Sequence, residues 1–386
     1  SANPHKFAEQ ITADLRYITN DEHFTFRVIE ASDAGEDPES SLHHPVRYHI
    51  LGVKENKGFF KLEWIDGHIG YLDIRRFYYA PDAKKMIVGA MNFLSNADAI
   101  IIDLRENGGG SGDYLSSYFL EYPTQLNSSY SREDDFLTEF WTSEDIDVRR
   151  LTDVPLFLLT SDRTFSASES FAYDMQARER ATIIGDSTRG GAHSVDLYKI
   201  DDRFEIYIPT ARAINPITGT NWEGTGVIPD INVPSEAALD TAIVLATAAG
   251  SEFAKARDAK LNRAVKQMEM EMKRAETLFR KRKIDEAEIA LDRVFQIADK
   301  NDLINEFFID VLAYNYQSTE DEQILYAILK KKIGLFPQSP TAHASLAYAY
   351  YKHGKKDLAI AQFETVLEFE PDNRNAVKMI DRIRNE

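Results

Sequence analysis

A serine placed where an apolar run meets a helix-forming run has the setting of a nucleophile. Residues 153–193 read DVPLFLLTSDRTFSASESFAYDMQARERATIIGDSTRGGAH, with Ser166 between an apolar stretch (Val154 to Thr160) and a helix starting near Ala167. The first N–H groups of a helix have no intrahelical partner, and the helix dipole favours negative charge there. An oxyanion developing beside Ser166 therefore finds donors in place. Taken alone, the serine is equally an ordinary N-cap. A second stretch, ADAIIIDLRENGGGSGDY, changes that balance by running a buried-strand pattern (Ala99 to Leu104) into Gly108, Gly109 and Gly110. Three glycines after such a strand let the backbone approach a ligand closely with its N–H groups exposed. No Gly-Lys-Ser/Thr follows and the dinucleotide GxGxxG spacing is missing, which argues against a phosphate-binding loop. A glycine turn and a serine at two strand–helix junctions supply the halves of an acyl-transfer site: oxyanion donors and a nucleophile.

The surrounding pattern predicts elements that would hold both loops. Phe7, Ile11, Leu15 and Ile18 recur at helical spacing over 5–20. Residues 31–45 (ASDAGEDPESSLHHP) read as an acidic loop, and 46–79, through VRYHILGV and FFKLEWI, as strands with a hairpin turn at Asp66-Gly67. Strands and helices then alternate: helix 81–95, strand 99–104, helix 111–121, strand 154–160, helix 167–179 and strand 181–185. Such alternation predicts an α/β layered fold. The charged, aromatic segment 128–150 reads as an excursion that either passes over the site or covers passive surface. A hairpin at 194–209 and a short alanine-rich helix at 236–249 complete the region. The expected domains are a helical segment and loop at 1–45 carrying His23, an α/β core at 46–250 and helical repeats at 251–386.

At 386 residues the chain is long enough for two or three domains and a substantial core. Zero cysteines exclude disulfides and thiolate metal sites. A net charge of −18 argues against nucleic acid or an anionic membrane surface as partner. No run of 18 apolar residues is seen, so no membrane span is expected. The opening SANPHKFAEQI lacks a signal pattern, leaving either a cytoplasmic protein or one whose targeting segment is not part of this sequence.

DLRENGGG, RTFSASE, IIGDSTRGG and NWEGTGVIPDINV, in this order, resemble the C-terminal-processing (tail-specific) serine protease family. The likeness is to its branch containing the tricorn core protease and interphotoreceptor retinoid-binding protein, with GHIGYLDIRRF (67–77) and IPTARAINPITGTNWEG (208–224) in support. It covers about residues 7–245. The resemblance implies a ClpP/crotonase-like layered α/β core, export to the periplasm or cell envelope, and a serine peptidase acting on unstructured polypeptides or C-terminal tails. It implies no metal and no organic cofactor.

The identity of the base is a separate question. One branch of the family takes a lysine about 25 residues after the serine, but Gly191 stands at that place and offers no base. Arg189 cannot substitute because it stays protonated. The tricorn-like branch uses a histidine near the N-terminus, and Asn20-Asp21-Glu22-His23-Phe24 resembles that element. His23 is thus the candidate base, with His193 of GGAHS as the alternative. Glu223 matches the branch's downstream glutamate, whereas its serine before the histidine is replaced by Glu22. The resemblance assigns the oxyanion to backbone N–H groups of Gly109 or Gly110 and of Ala167. Ser168 and Glu169 are expected to cap the helix, and Asp103 and Arg105 to form a buried ion pair shaping the glycine turn.

After about residue 251 lysine, glutamate, alanine and leucine take over. Ala313, Tyr316, Leu325, Leu329 and Pro337 recur 34 residues later as Ala347, Tyr350, Ala359, Phe363 and Pro371. This register resembles the tetratricopeptide repeat, with a weaker third copy at Ala275, Ala287, Leu291 and Val294. A peptide or protein partner on these repeats is one expectation, and a passive scaffold the other. Two further functions stay open: an inactive relative that binds a peptide or apolar ligand, and an assembly protein working through the repeats.

Overall fold

The runs at 99–104 and 154–160 are apolar save for Asp103 and Thr160, because both faces of their sheet are covered. In the computed structural model, which describes residues 3–29, 43–111, 113–317 and 322–386, they form β4 (Ala99–Asp103) and β7 (Leu156–Thr160). They are central in a six-stranded sheet with β2 (Phe59–Ile65), β3 (Ile69–Ile74), β8 (Thr182–Gly185) and β11 (Ile231–Asn232). The order is β11-β8-β7-β4-β3-β2, parallel throughout except for the β2–β3 hairpin. That hairpin turns at Asp66-Gly67, with Gly67 at φ 86°.

Alternate residues of each central strand feed two cores. Ile100, Ile102 and Leu158 pack with Ile87, Met91 and Leu94 of helix Ala80–Leu94 and with Phe171 and Met175 of helix Ala167–Ala177. Ala99, Ile101, Phe157 and Leu159 face the opposite side, against Ala238, Ala242 and Ala246. Each such aliphatic or aromatic side chain, fully buried, contributes roughly 1.5–3 kcal/mol. Parallel pairing places the C-terminal ends of β4 and β7 side by side, so the glycine turn and the Ser166 loop leave the sheet together. Binding sites in open α/β sheets form at such ends.

A second sheet runs in the order β1-β10-β5-β6, with β9 also paired to β10. Its strands are β1 (Thr25–Val28), β5 (Gln125–Ser131), β6 (Phe136–Trp141), β9 (His193–Lys199) and β10 (Phe204–Ile214). The N-terminal helix Pro4–Thr19 covers the outer edge of β1: Thr12 Oγ1 donates to the Phe26 carbonyl and accepts from its N–H, both at 2.9 Å. A side chain thus satisfies backbone groups that would otherwise leave an open strand edge.

Several local expectations are corrected. VRYHILGV belongs to helix His43–Lys54 and not to a strand. Val46, Tyr48 and Ile50 alternate, while Val46, Ile50 and Val53 fit helical spacing, a usual ambiguity in short runs. The expected helix 111–121 is only Asp113–Ser116, followed by turns. The excursion 128–150 is in part the β5–β6 hairpin. The expected loop 31–45 lies outside the described residues up to 42, and 43–45 begin a helix. The short helix expected at 236–249 continues as Ser235–Arg280, because nothing after Ala249 stops it. This helix contains one 18-residue window of mean hydropathy 1.2, long and apolar enough by composition to cross a membrane. Its Ala238, Ala242 and Ala246 stripe is nevertheless packed in the second core.

The chain divides into two compact units, 1–255 and 256–386, with the division inside that helix. In the second unit helices Ile284–Asp299, Glu306–Tyr314, Glu322–Leu335, Pro340–Lys352, Lys356–Phe369 and Arg374–Asn385 follow one another. Repeat positions Ala313 and Ala347, Leu325 and Ala359, and Leu329 and Phe363 are all buried in one apolar cluster. Small residues at equivalent positions let successive helices approach closely.

Candidate active site

Ser166 adopts φ 58° and ψ −120°, a conformation rare for a residue with a side chain. Strained serines at strand–helix turns are a known device for exposing the hydroxyl above a sheet. Three contacts hold the turn. Phe165 N–H donates to the Asn107 carbonyl at 3.0 Å, Thr164 Oγ1 to the Leu104 carbonyl at 2.8 Å, and Ser168 Oγ to the Asn107 carbonyl at 2.8 Å. The glycine turn and the serine loop are thereby latched directly to each other. A Cβ on Gly109 would lie 2.9 Å from the Ser166 Cβ, so only glycine permits this approach.

Glu169, three residues into the helix, is fully buried and clamps the loop from below. It accepts from Ser166 N–H (2.7 Å), Thr188 Oγ1 (2.6 Å), Gly190 N–H (2.6 Å) and Gly191 N–H (2.9 Å). Burial pushes its pKa up, and these donors oppose the rise. Glu169→Ala would strand four donors in the interior and is expected to cost about 3 kcal/mol or more. Chemical denaturation should show that loss; a change below about 0.5 kcal/mol would rule out the clamp.

His23 arrives from the N-terminal segment. The helix stops at Thr19, Asn20 takes the left-handed conformation, and Asp21 Oδ1 accepts the His23 N–H at 2.9 Å. The imidazole lies on the Phe165 ring, with centroids 4.5 Å apart, and its Nε2 is 3.3 Å from Ser166 Oγ. A Cβ on Gly191 would lie 2.6 Å from His23 Cε1 and 2.2 Å from Phe165 Cε2. The space next to the missing lysine's backbone is thus filled by the histidine and its aromatic neighbour. Of the two sequence candidates, His23 is the imidazole within hydrogen-bond distance of the hydroxyl. His193 Nδ1 faces the carboxylates of Asp21 and Glu223 instead.

Those carboxylates form a chain behind the base. Asp21 Oδ1 is 3.6 Å from His23 Nδ1, and Asp21 Oδ2 is 2.6 Å from His193 Nδ1. Glu223 Oε2 lies 3.6 Å from His193 Nδ1 and accepts the Ala192 N–H at 2.6 Å. Sequence reasoning singled out Glu223 as the branch's downstream glutamate. The structure sets it beside His193 and places Asp21, which that reasoning passed over, against His23. The signal was present, since a carboxylate two residues before a histidine can hold the histidine's own backbone. Glu22 is paired with Arg16 at 3.2 Å and is no substitute for the missing serine.

The charges respond accordingly. Burial works to raise the Asp21 pKa, but hydrogen bonds from His193 and His23 outweigh it and hold the group well below the ordinary carboxylate range. The Asp21 hydrogen bond pushes His193 up, against burial, with Glu223 adding to the rise. Burial raises Glu223. A lowered aspartate stabilises the fold above its unfolded value of 3.8 and loses that contribution as pH falls through the folded value. A raised histidine stabilises fully below its unfolded value of 6.5 and loses that contribution as pH rises through the folded value. The pair's stabilisation is therefore full only between about pH 4 and 6.5. The Tm difference between the native protein and His193→Asn should be largest there and shrink towards pH 9. A difference independent of pH would contradict the charged pair.

The ligand atoms of Asp21, His193 and Glu223 lie within 4.8 Å of one another, a spacing a cation can use. Asp21 and His193 already satisfy each other, and a metal would have to replace the proton between them.

Among oxyanion candidates, Gly109 N–H is taken by Asn107 Oδ1 at 2.9 Å. Gly110 and Ala167 N–H groups have no acceptor among the described residues, and both residues line a cavity of about 170 Å³ containing Ser166. Phe140, Ser129, Trp222 and Ala213 complete much of its wall. The Trp222 indole donates to the Gly191 carbonyl at 2.8 Å, fixing that side. Asp103 and Arg105 do pair, at 2.6 Å, and Arg105 also reaches the Ser235 carbonyl at 2.7 Å. They tie the glycine turn to the long helix.

A strained serine facing an imidazole, beside unengaged N–H groups at two loop ends, is a site of the serine-hydrolase kind. Residues 68–233, less than half of the chain, match the profile described as Peptidase family S41. The chain is 28% identical over 187 residues to the carboxyl-terminal-processing protease of Picosynechococcus, covering 47% of this chain and 43% of the relative. With the tail-specific protease of Haemophilus influenzae it shares 32% over 197 residues, 47% of this chain and 27% of the relative. A solved structure of a putative peptidase from Parabacteroides merdae aligns at 20% identity and TM-score 0.46, covering 63% of this chain and 83% of that one. The chain thus spans under half the length of these two curated relatives.

Proposed function

We propose that the chain is a serine peptidase that cleaves unstructured polypeptides or C-terminal tails through an acyl-enzyme. The observation carrying this reading is the 3.3 Å approach of His23 Nε2 to Ser166 Oγ. Ser166 Oγ attacks the scissile carbonyl carbon while His23 Nε2 takes its proton. Gly110 and Ala167 N–H groups receive the oxyanion, since the Gly109 N–H is committed to Asn107. The tetrahedral intermediate collapses, the C–N bond breaks, and His23 returns the proton to the leaving amine. Water, deprotonated by the same imidazole, then attacks the ester and frees Ser166. Asp21 accepts the His23 backbone N–H and sets a carboxylate oxygen 3.6 Å from the ring's Nδ1, while His193 Nδ1 lies 2.6 Å from its other oxygen. The sequence needs no metal or organic cofactor.

The reading is tested by treating the purified protein with a fluorophosphonate and mapping the adduct by mass spectrometry. Stoichiometric labelling on Ser166 is expected; an unlabelled protein would return the chain to a binding role. The helical unit is proposed to be a tetratricopeptide-like array that takes a polypeptide in the roughly 410 Å³ groove lined by Tyr314, Tyr348 and Lys352. Residence in the periplasm or cell envelope is proposed from the family resemblance and fits the absence of cysteine.

A further inference from the structure

The cavity holding Ser166 has a polar floor that the proton-transfer chemistry leaves unused, and two elements build it. On β5, Asn127 and Ser129 are two residues apart, so they face the same side of the strand, and both line the cavity. On helix Ala167–Ala177, Ser166 at the N-cap, Ala167 and Ser170 share one face and line it as well. Ser170 thus lies one helical turn beyond the nucleophile, where its Oγ accepts from Asn127 Nδ2 at 2.8 Å.

The next turn of the helix fixes which way the Asn127 amide points. Asp174 is buried, accepts from Asn127 Nδ2 at 3.2 Å and from Asn215 Nδ2 at 2.9 Å, and pairs with Arg178 at 3.4 Å. A carboxylate held by an arginine only accepts, so the nitrogen of Asn127 must face it. Both hydrogens of that nitrogen are then engaged, by Ser170 and by Asp174. Asn127 Oδ1 has no donor among the described residues and is not sealed from solvent, so it opens onto the cavity. Ser170 Oγ accepts from Asn127 but donates to no described residue, which leaves its own hydrogen uncommitted. The floor therefore presents one neutral acceptor and one neutral donor side by side.

We propose that Asn127 and Ser170 select a short hydroxyl-bearing side chain, threonine or serine, on the residue whose carbonyl Ser166 attacks. This rests on the peptidase reading and deepens it by naming a side chain of the substrate. With the carbonyl oxygen held by the Gly110 and Ala167 N–H groups, the adjoining side chain enters the space along the first helical turn. A hydroxyl there donates to Asn127 Oδ1 and accepts from Ser170 Oγ, matching both groups at once. A cavity of about 170 Å³ that also receives substrate backbone leaves room only for a short side chain. Phe140 and Ala213 give the threonine methyl an apolar wall. Valine has the same shape but leaves both polar groups without partners once water is expelled, and that is the costly outcome. Asp174 is a positioning residue, acting through the orientation it imposes on Asn127.

Four acetyl-tripeptide coumarylamides that differ only in the last residue (threonine, valine, serine or alanine) test this. Dye is released only by cleavage after that residue, which fixes the register. The native protein is expected to show a kcat/KM about tenfold or more higher for threonine than for valine, with serine above alanine in the same direction. Asn127→Leu and Ser170→Ala should each move both ratios towards one. A purely structural role would slow all four substrates alike and leave the ratios standing. Circular dichroism checks that each variant is folded, and Ser170→Ala, which removes a single oxygen, is the milder of the two. Valine hydrolysed as well as threonine by the native protein, or ratios that persist in the folded variants, would overturn the subsite. Where no dye is released, the affinities of the same four compounds for the Ser166→Ala protein are compared, and equal affinities would overturn it likewise. Failure of fluorophosphonate labelling in the native protein counts instead against the peptidase reading, and a threonine preference in binding would leave the subsite standing.

Discussion

Ser166→Ala is expected to reduce peptide hydrolysis by on the order of 10⁴-fold or more and to eliminate fluorophosphonate labelling. The expectation follows from geometry, because the rare backbone conformation at 166 serves to present this hydroxyl. Asn107 and Glu169 hold that conformation through hydrogen bonds to the loop rather than to the hydroxyl. Alanine keeps those bonds, so Tm should change little while activity vanishes. Hydrolysis of an unstructured protein such as casein, followed by amine release, supplies the measurement. Activity within tenfold of the native protein would mean that another residue attacks the substrate.

His23→Ala should cost a comparable factor, on the order of 10⁴, because without a base the hydroxyl is a weak nucleophile. His193→Ala is expected to cost only about tenfold, through loosening of Asp21 rather than loss of proton transfer. The contrast is the informative quantity, since both histidines contact Asp21 and only His23 lies against Ser166 Oγ. Hydrolysis rates of the two variants, measured at one pH on a common peptide, decide it. A larger loss in His193→Ala than in His23→Ala would reverse the assignment of the base.

Much of the core was legible because its signals are local. The runs at 99–104 and 154–160 are apolar save for Asp103 and Thr160, as a doubly covered parallel strand requires, and the glycines after the first mark a close backbone approach. Ser166 was legible from the helix that follows it. The segment 46–53 was misread because Val46, Tyr48 and Ile50 alternate as in a strand, while Val46, Ile50 and Val53 also fit one helical face. The long helix was underestimated since residues 251–263, between the Ala238–Ala246 stripe and that of Ala264, Met268, Met272, Ala275 and Phe279, bury no side chain to mark a face.

The candidate site was readable in its members but not in their pairing. Ser166 and His23 are 143 residues apart, and no local pattern states which histidine reaches the hydroxyl. Gly191 told only that a lysine is missing. The reason for a glycine emerges in three dimensions, where any side chain at 191 would press on His23 and Phe165. Asp21 escaped notice because its role is divided between the backbone of one histidine and the ring of another.

The proton transfer itself is best tested by the rate of fluorophosphonate acylation across pH 5 to 9 in the native protein, His23→Ala and His193→Ala. Native acylation should slow towards acid, because a base must be free to take the serine's proton, and that dependence should survive in His193→Ala. In His23→Ala the rate should be low and insensitive to pH over this range. An acid limb that persists unchanged in His23→Ala would mean that His23 does not activate Ser166.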